Sequence, residues 1–337
     1  MSDTSELPNA FVPDVTVGIV NHNRRGLTIG CLESLCLLNN DLELDVIVID
    51  NATGDGSADE IAACFPQVRL LRQATPRGFA ANHNTLAALA RAPFYLALND
   101  DTVWLPRDPI WAAKIRARLA RGAPLWPADK RAELAALTRT APGPIGGLLR
   151  RFRTDEPIGA VAPLLLWPDG RPQDVSARPF PTVRSELQRY LVPNRQRRAG
   201  APLPGGLVPA LSGCALLVRR EAWLAVGGMD ERFLMFGEDL DFCRRLRLAG
   251  WRCWFEPQVQ IIHYGSQSTH DQPFRWTVEA VRSSTRYYRR HAGLGTAVLF
   301  RAAVTAILLA RWGLMLLLPE RRAARLKALR TLLGRGA

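Results

Sequence analysis

No two of the six cysteines, Cys31, Cys36, Cys64, Cys214, Cys243 and Cys253, form a C-x-x-C pair. That excludes the usual zinc and dithiol patterns, and their scatter among apolar residues suits buried free thiols in a reducing compartment. The opening Met-Ser-Asp-Thr-Ser-Glu lacks the basic and apolar regions of a secretory signal, so the chain is expected to stay in the cytoplasm. Long uncharged runs are missing too. Leu294–Leu318 comes nearest, but Arg301 and Arg311 interrupt it, which argues against a spanning helix. There is no internal repeat. Acidic residues are scarce against basic ones, 31 to 44, leaving a net charge of +13. No helix-turn-helix, zinc or aromatic-stripe module accompanies that charge, so nucleic acid is not the expected partner.

What is present is an ordinary globular balance, 47% hydrophobic and 22% charged over 337 residues. That length suits one large α/β domain with appendages, or two small domains. The positive charge calls for an anionic partner, either anionic lipid or a phosphorylated substrate. It gathers at Arg150–Arg153, Arg195–Arg198, Arg286–Arg290 and the tail from Arg321.

After a polar leader (1–14), short β-branched runs alternate with helical spacing. The strands are expected at Val15–Val20, Val46–Ile49, Val68–Leu71 and Phe94–Leu98. The helices are expected at Leu27–Leu38, Ala58–Cys64 and Phe79–Arg91. This alternation predicts a mostly parallel sheet covered by helices on both faces. Residues 106–157, rich in Ala, Arg and Pro, read as a helical, basic insertion or lid, with helices at Ala112–Arg121 and Ala128–Thr138. Phe180–Gly206 reads as loop. Val208–Val218 reads as one buried strand carrying Ser212-Gly213-Cys214. Glu238–Ala249 reads as a helix capped by Gly250, and Trp251–Phe255 and Val259–Ile262 as two short strands. The apolar 294–318 stretch and the basic, leucine-spaced tail beyond Pro319 suit helices lying in a membrane interface, with Arg301 and Arg311 reaching the headgroups.

Four places carry candidate chemistry. Asp50 ends a strand, where α/β folds present groups to ligands; an Asx-turn is the structural alternative. Asn99-Asp100-Asp101-Thr102 ends another, and its carboxylates suit Mg²⁺ or Mn²⁺ with phosphate oxygens, or simply a polar turn. Glu238-Asp239-Leu240-Asp241 opens a helix. There acids complement the dipole, and Asp241 has Arg244 or Arg245 to pair with, yet a carboxylate there is also suited to general-base work. His263 follows an apolar strand, as a packed residue or a ligand.

Taken together, these blocks resemble the family 2 glycosyltransferases, in particular their rhamnosyltransferase-like branch. Val17-Gly18-Ile19-Val20-Asn21-His22-Asn23 is similar to that branch's opening, with His22 in place of Tyr. Val48-Ile49-Asp50-Asn51 with Asp55-Gly56-Ser57, Gly78-Phe79-Ala80 with Asn82 and Asn84, and Asn99-Asp100-Asp101-Thr102 follow in order. Then come Ser212-Gly213-Cys214, Gly227-Gly228-Met229-Asp230 with Phe233, Phe236–Asp241 with Arg244, and His263 with Gly265. The resemblance implies a GT-A-like domain over 15–290 with a C-terminal helical extension over 291–337. It implies inverting transfer from a nucleotide-sugar donor, dTDP-L-rhamnose in the first instance. The acceptor would be a growing bacterial cell-surface glycan, carried on polyprenyl phosphate at the inner face of the membrane. It implies Asp101 and His263 as ligands of a divalent metal, and Asp239 as base with Glu238 beside it. Asn21, Asp50, Asn51, Arg77, Gly78, Asn99 and Asp100 would lie along the donor, although Asn99 is neutral where the metal motif has an acid. Two other classes compete: an inactive glycosyltransferase-like module that binds membranes, and a nucleotidylyltransferase. The second is disfavoured because no Gly-rich, Arg- or Lys-bearing phosphate loop lies near the N-terminus.

Overall fold

The computed structural model describes residues 12–120, 142–191, 204–265 and 273–316. The expected leader, the helix at Ala128–Thr138 and the basic tail beyond Pro319 lie wholly or almost wholly outside them. The chain divides into two compact units, 1–180 with 197–279, and 181–196 with 280–337.

The first unit is built on a mixed sheet. Its N-terminal half alternates β1 (Val15–Asn21), α1 (Arg25–Leu38), β2 (Leu44–Asp50), α2 (Ser57–Cys64), β3 (Arg69–Arg72), α3 (Phe79–Ala88) and β4 (Phe94–Asn99). Strands β3, β2, β1 and β4 lie side by side and all pair in parallel. Their runs are apolar because both faces are covered; Val17, Ile19, Ile47, Val48, Ile49, Leu96 and Leu98 are wholly buried. After the short β5 (Thr102–Trp104) come β6 (Ile158–Leu166), β7 (Ala177–Arg178), β8 (Gly206–Val208), β9 (Ala210–Leu211), β10 (Ala215–Arg219) and β11 (Arg252–His263). The order is β3-β2-β1-β4-β10-β6-β11-β5, with β8 also on β11. β10 is antiparallel to both its neighbours, while β6 pairs in parallel with β11. The sheet is thus mostly parallel, with reversed strands at β5, β8 and β10.

Several local expectations change. The single strand expected over Val208–Val218 is three pieces: it breaks at Pro209, with β8 on β11 and β9 on β7, and turns again at Ser212–Cys214. The two strands expected after Gly250 are one, β11, with a register shift between Glu256 and Gln260. The insertion splits. Its first part is α4 (Pro109–Ala120). Its end is not a lid: α5 (Pro144–Leu149) is buried from Pro144 to Leu148, with Pro at its first turn. The Gly143 and Ile145 amides donate to Asp41 Oδ2 (2.9 Å) and Asn39 Oδ1 (2.8 Å), which anchors that turn beneath the sheet. Residues 183–191, expected as loop, form the helix α6 (Val183–Leu191). The six cysteines are free, but Cys64 is exposed and Cys36 half-buried.

After α7 (Arg220–Ala225) and α8 (Glu238–Leu248), the chain enters α9 (Pro273–His291) and α10 (Leu294–Leu316). The division between units falls within α9, near Glu279 rather than at 290. Within the second unit Ala297, Phe300 and Val304 are buried along one stripe of α10, and Phe300 stacks on Tyr288 with ring centres 4.9 Å apart. The Arg311 guanidinium donates to the Tyr190 carbonyl (3.0 Å). It is therefore tied to α6 rather than reaching outward as expected, while Arg301 is exposed.

Candidate active site

β1, β2 and β4 end together, and the expected donor residues lie at those ends. Asn21 is wholly buried, with its amide spent internally: Nδ2 donates to Ser57 Oγ (2.6 Å), and Oδ1 accepts from Thr28 Oγ1 (3.0 Å). That is a framework role rather than a ligand contact. Asp50 Oδ1 accepts from the Thr53 amide (3.3 Å) and hydroxyl (2.5 Å), so it closes a local turn three residues on, one residue longer than the expected Asx-turn. Asn51 clasps the main chain of Arg77, accepting from its amide (2.8 Å) and donating to its carbonyl (3.1 Å). This holds the Arg77-Gly78 loop against β2. Gly78 caps α3, and a Cβ there would stand 3.1 Å from the Leu234 carbonyl. The Arg77 side chain points to Thr85 and Glu231 at the surface.

Asp100 and Asp101 follow β4 directly. Asn99 is fixed there by its amide, which donates to the Cys214 carbonyl (2.8 Å). Arg24, just beyond β1, reaches both acids with Nη1, 3.2 Å from Asp100 Oδ1 and 3.4 Å from Asp101 Oδ2. The parallel pairing of β1 with β4 brings these loops side by side. Burial raises the Asp100 carboxyl to about 7, with Arg24 opposing and Asp101 reinforcing.

β11 pairs with β5 so that His263 sits opposite Thr102, and the Tyr264 amide donates to the Asp101 carbonyl (3.0 Å). His263 Nε2 lies 3.5 Å from Asp101 Oδ1, an oxygen that is buried without a hydrogen-bond partner. On the other side of the ring, Nδ1 meets Gln173 Oε1 at 2.8 Å. Gln173 Nε2 donates to the carbonyls of Leu166 and His263, so its Oε1 is the acceptor. The network therefore assigns the proton to Nδ1 and leaves the Nε2 lone pair facing Asp101. Burial also lowers the His263 pKa, which favours the neutral ring. Two acceptor atoms facing each other in a buried place fit a shared cation, held by residues oriented from behind. Among the described residues no cluster of three or more His, Cys, Asp or Glu side chains surrounds a common point.

Asp239 begins α8. Two consecutive left-handed residues, Phe236 (φ 69°) and Gly237 (φ 84°), turn the chain into that helix, a bend a bulky residue tolerates only under constraint. Asp239 is nearly buried. Arg178 Nη2 donates to both of its oxygens (3.0 and 2.8 Å), the Leu240 amide to Oδ1 (2.8 Å), and the Gly213 amide to Oδ2 (3.3 Å). Beside it Glu238 is buried, its Oε2 without a partner. Burial, and then the Asp239 charge, raise the Glu238 pKa to about 8. Asp241 pairs with Arg245 (2.7 Å), which also bonds the carbonyls of Val226 and Gly228; this is structure. The segment Ser212–Cys214 joins the two acidic groups. Its Gly213 amide holds Asp239 and its Cys214 carbonyl holds Asn99, while Asp101, Asp100 and Asp239 all help raise the buried Cys214 thiol.

The site thus sets an acid pair at the end of β4 against a facing histidine, with a helix-borne carboxylate as its other acid. A model of glycosyl transferase family 2 matches residues 16–110, and one of glycosyl transferase family group 2 matches residues 196–326. The chain belongs to the family 2 glycosyltransferases, in their rhamnosyltransferase-like branch. It is 28% identical over 249 residues to the N-acetylglucosaminyl-diphospho-decaprenol L-rhamnosyltransferase of Mycobacterium tuberculosis, a match covering 70% of this chain and 71% of that protein. It is 30% identical over 122 residues to the rhamnosyltransferase WbbL of Escherichia coli K12, covering 35% and 45%. The fold matches that of the mannosyltransferase PcManGT of Pyrobaculum calidifontis, solved with GDP-Man and Mn²⁺, at a TM-score of 0.50 and 16% identity over 97% of this chain and 89% of that one.

The sequence reading missed Arg24, Gln173 and Arg178. Gln173 and Arg178 lie in residues 111–195, which neither family model spans, one on irregular chain and the other on a two-residue strand too short for a periodic signal. Arg24 did have a signal: it directly follows a strand end that neighbours the Asp100-Asp101 loop.

Proposed function

We propose that the protein transfers L-rhamnose, with inversion, from dTDP-L-rhamnose to a hydroxyl of a lipid-linked glycan at the cytoplasmic membrane surface. The observation that carries this reading is the pairing of two sites across Ser212–Cys214. One is an acid–histidine pair with lone pairs facing each other, Asp101 and His263; the other is a carboxylate at a helix start, Asp239. The named relatives, both rhamnosyltransferases and one acting on a diphospho-decaprenol-linked sugar, support the donor and acceptor class.

In this reading Asp101 and His263 would hold Mg²⁺ or Mn²⁺, with Gln173 fixing the histidine tautomer, and the charge of the leaving nucleoside diphosphate would be offset there. Arg24 adds a fixed positive charge beside the same leaving group. Asp50, Asn51 and Gly78 shape the donor cleft, with Asn99 and Asp100 at its edge. Asp239 takes the proton of the attacking hydroxyl as that oxygen bonds to the anomeric carbon, and Glu238, kept protonated, places no second negative charge on the base.

The test is Asp239→Asn in full-length protein. Turnover is expected to fall at least about a hundredfold, the range for loss of a general base, with donor binding retained by calorimetry. Stabilisation by dTDP in Mg²⁺ or Mn²⁺ should disappear in Asp101→Ala and weaken in His263→Ala. Near-normal turnover in Asp239→Asn removes the base assignment, and full activity in excess chelator removes the metal.

A further inference from the structure

We infer that Arg178 is an anion-operated latch on Asp239, released when the diphosphate of a lipid-linked acceptor draws the guanidinium away. This rests on the reading of Asp239 as base and of the acceptor as a diphosphate-linked glycan. The reason lies in the filled valence of the carboxylate. A carboxylate offers about four lone-pair sites, and Asp239 has four contacts: one to each oxygen from Arg178, one from the Leu240 amide and one from the Gly213 amide. As it stands it has no site left for the proton of an attacking hydroxyl.

One of its three donors has to leave, and two cannot. The Gly213 and Leu240 amides are main chain, fixed by the turn into β10 and by the first turn of α8. Arg178 is different. It stands on β7, a strand of two residues, and its side chain is 24% exposed. A guanidinium can bind the paired oxygens of a diphosphate with two parallel N–H bonds, whereas it meets Asp239 through Nη2 alone. Transfer to that anion opens one site on each Asp239 oxygen. The hydroxyl proton then passes to Asp239, the hydroxyl oxygen bonds to the anomeric carbon, and the nucleoside diphosphate leaves with the electron pair of the broken bond. The latch thus makes the base competent only when the acceptor carries its anionic anchor.

The experiment compares two acceptors in wild type, Arg178→Gln and Arg178→Lys, with dTDP-L-rhamnose and Mg²⁺. One is N-acetylglucosaminyl diphosphate on a short polyprenyl chain. The other is N-acetylglucosamine on the same chain through a neutral glycosidic bond. Wild type should favour the diphosphate acceptor in kcat. In Arg178→Gln the kcat for the neutral acceptor should rise at least about fivefold while KM for the diphosphate acceptor rises about tenfold, the size of a lost charge-assisted contact. Arg178→Lys should lie between, and it replaces Arg178→Gln if that variant does not fold. A purely structural arginine would lower both rates together, and an unchanged kcat ratio between the acceptors overturns the latch. Calorimetry covers the case of an undetectable neutral reaction: binding of the diphosphate acceptor must weaken in Arg178→Gln, and equal binding overturns the proposal. Asp239→Asn serves as the control, since activity there would sink the base reading itself, whatever Arg178 does.

Discussion

Glu238 and Asp239 are neighbours in sequence with opposite electrostatic circumstances. Asp239 has a guanidinium and two amides; Glu238 has burial and a negative neighbour. The consequence can be measured without substrate. A carboxyl whose folded pKa lies above its unfolded value binds more protons in the native state between the two, so stability falls as pH rises through that window. For Glu238 the window runs from the ordinary glutamate value of 4.5 to about 8. Glu238→Gln keeps the shape and removes the titration. Its melting temperature should therefore gain on wild type by a few degrees between pH 5 and pH 9. Parallel melting curves for the two proteins across that range would show that Glu238 is not held protonated.

At the scale of elements, the donor half depends on how closely β1 and β4 approach a buried aromatic cluster. A Cβ at Gly18 would fall 2.3 Å from the Tyr95 hydroxyl and 2.8 Å from its ring. The ring has nowhere to go. Tyr95 is wholly buried, its hydroxyl bonds His83 Nδ1 (2.7 Å), and its edge meets Trp223 at 5.1 Å. Gly18→Ala should cost about 1–3 kcal/mol, the usual penalty of overpacking, read as a lower urea midpoint. Tyr95→Phe in the same chain should recover part of that loss by removing the nearest atom. A midpoint unmoved by Gly18→Ala would mean the strands have slack that the structure denies them. The Gly18 position was legible only as part of a motif. Its physical reason, an aromatic ring lying across the strand, comes from Tyr95, far off in sequence.

At the scale of the whole molecule, the outer face of α10 is the main anomaly. Leu294, Val298, Leu299 and Leu309 are 57–72% exposed. The described exposed positions between them carry one charge, Arg301. The Leu294–Arg311 stretch is long and apolar enough by composition to cross a bilayer, and little of it is buried. Its other side nevertheless packs within the second unit through Ala297, Phe300 and Val304. A helix with one protein-facing stripe and one bare apolar face suits the interface of a membrane. Truncation after Gly293 would also uncover Tyr288, so substitutions on the bare face make the cleaner test. Val298→Glu, Leu299→Glu and Leu309→Glu together should abolish sedimentation with anionic liposomes while leaving nucleotide binding unchanged. Equal sedimentation of this variant and wild type would remove the membrane contact from α10.

The sequence by itself determined the strand–helix alternation, the parallel half of the sheet, the order of the acidic blocks and the family. These rest on local periodicity and on short motifs, which a chain carries in adjacent residues. It did not reveal that Asn21 is spent inside the framework, that α5 is core, or that α6 joins the C-terminal helices. Nor did it reveal the long-range partners of His263, Asp239 and Asp100. Gln173, Arg178 and Arg24 act on His263, Asp239 and Asp100 across separations of 61–90 residues. Only the sheet register sets such distances: β11 on β5 brings His263 to Asp101, β7 on β9 places Arg178 near α8, and β1 on β4 brings Arg24 to the acid pair. Protonation and orientation follow from those partners and from burial, and both are properties of the folded molecule.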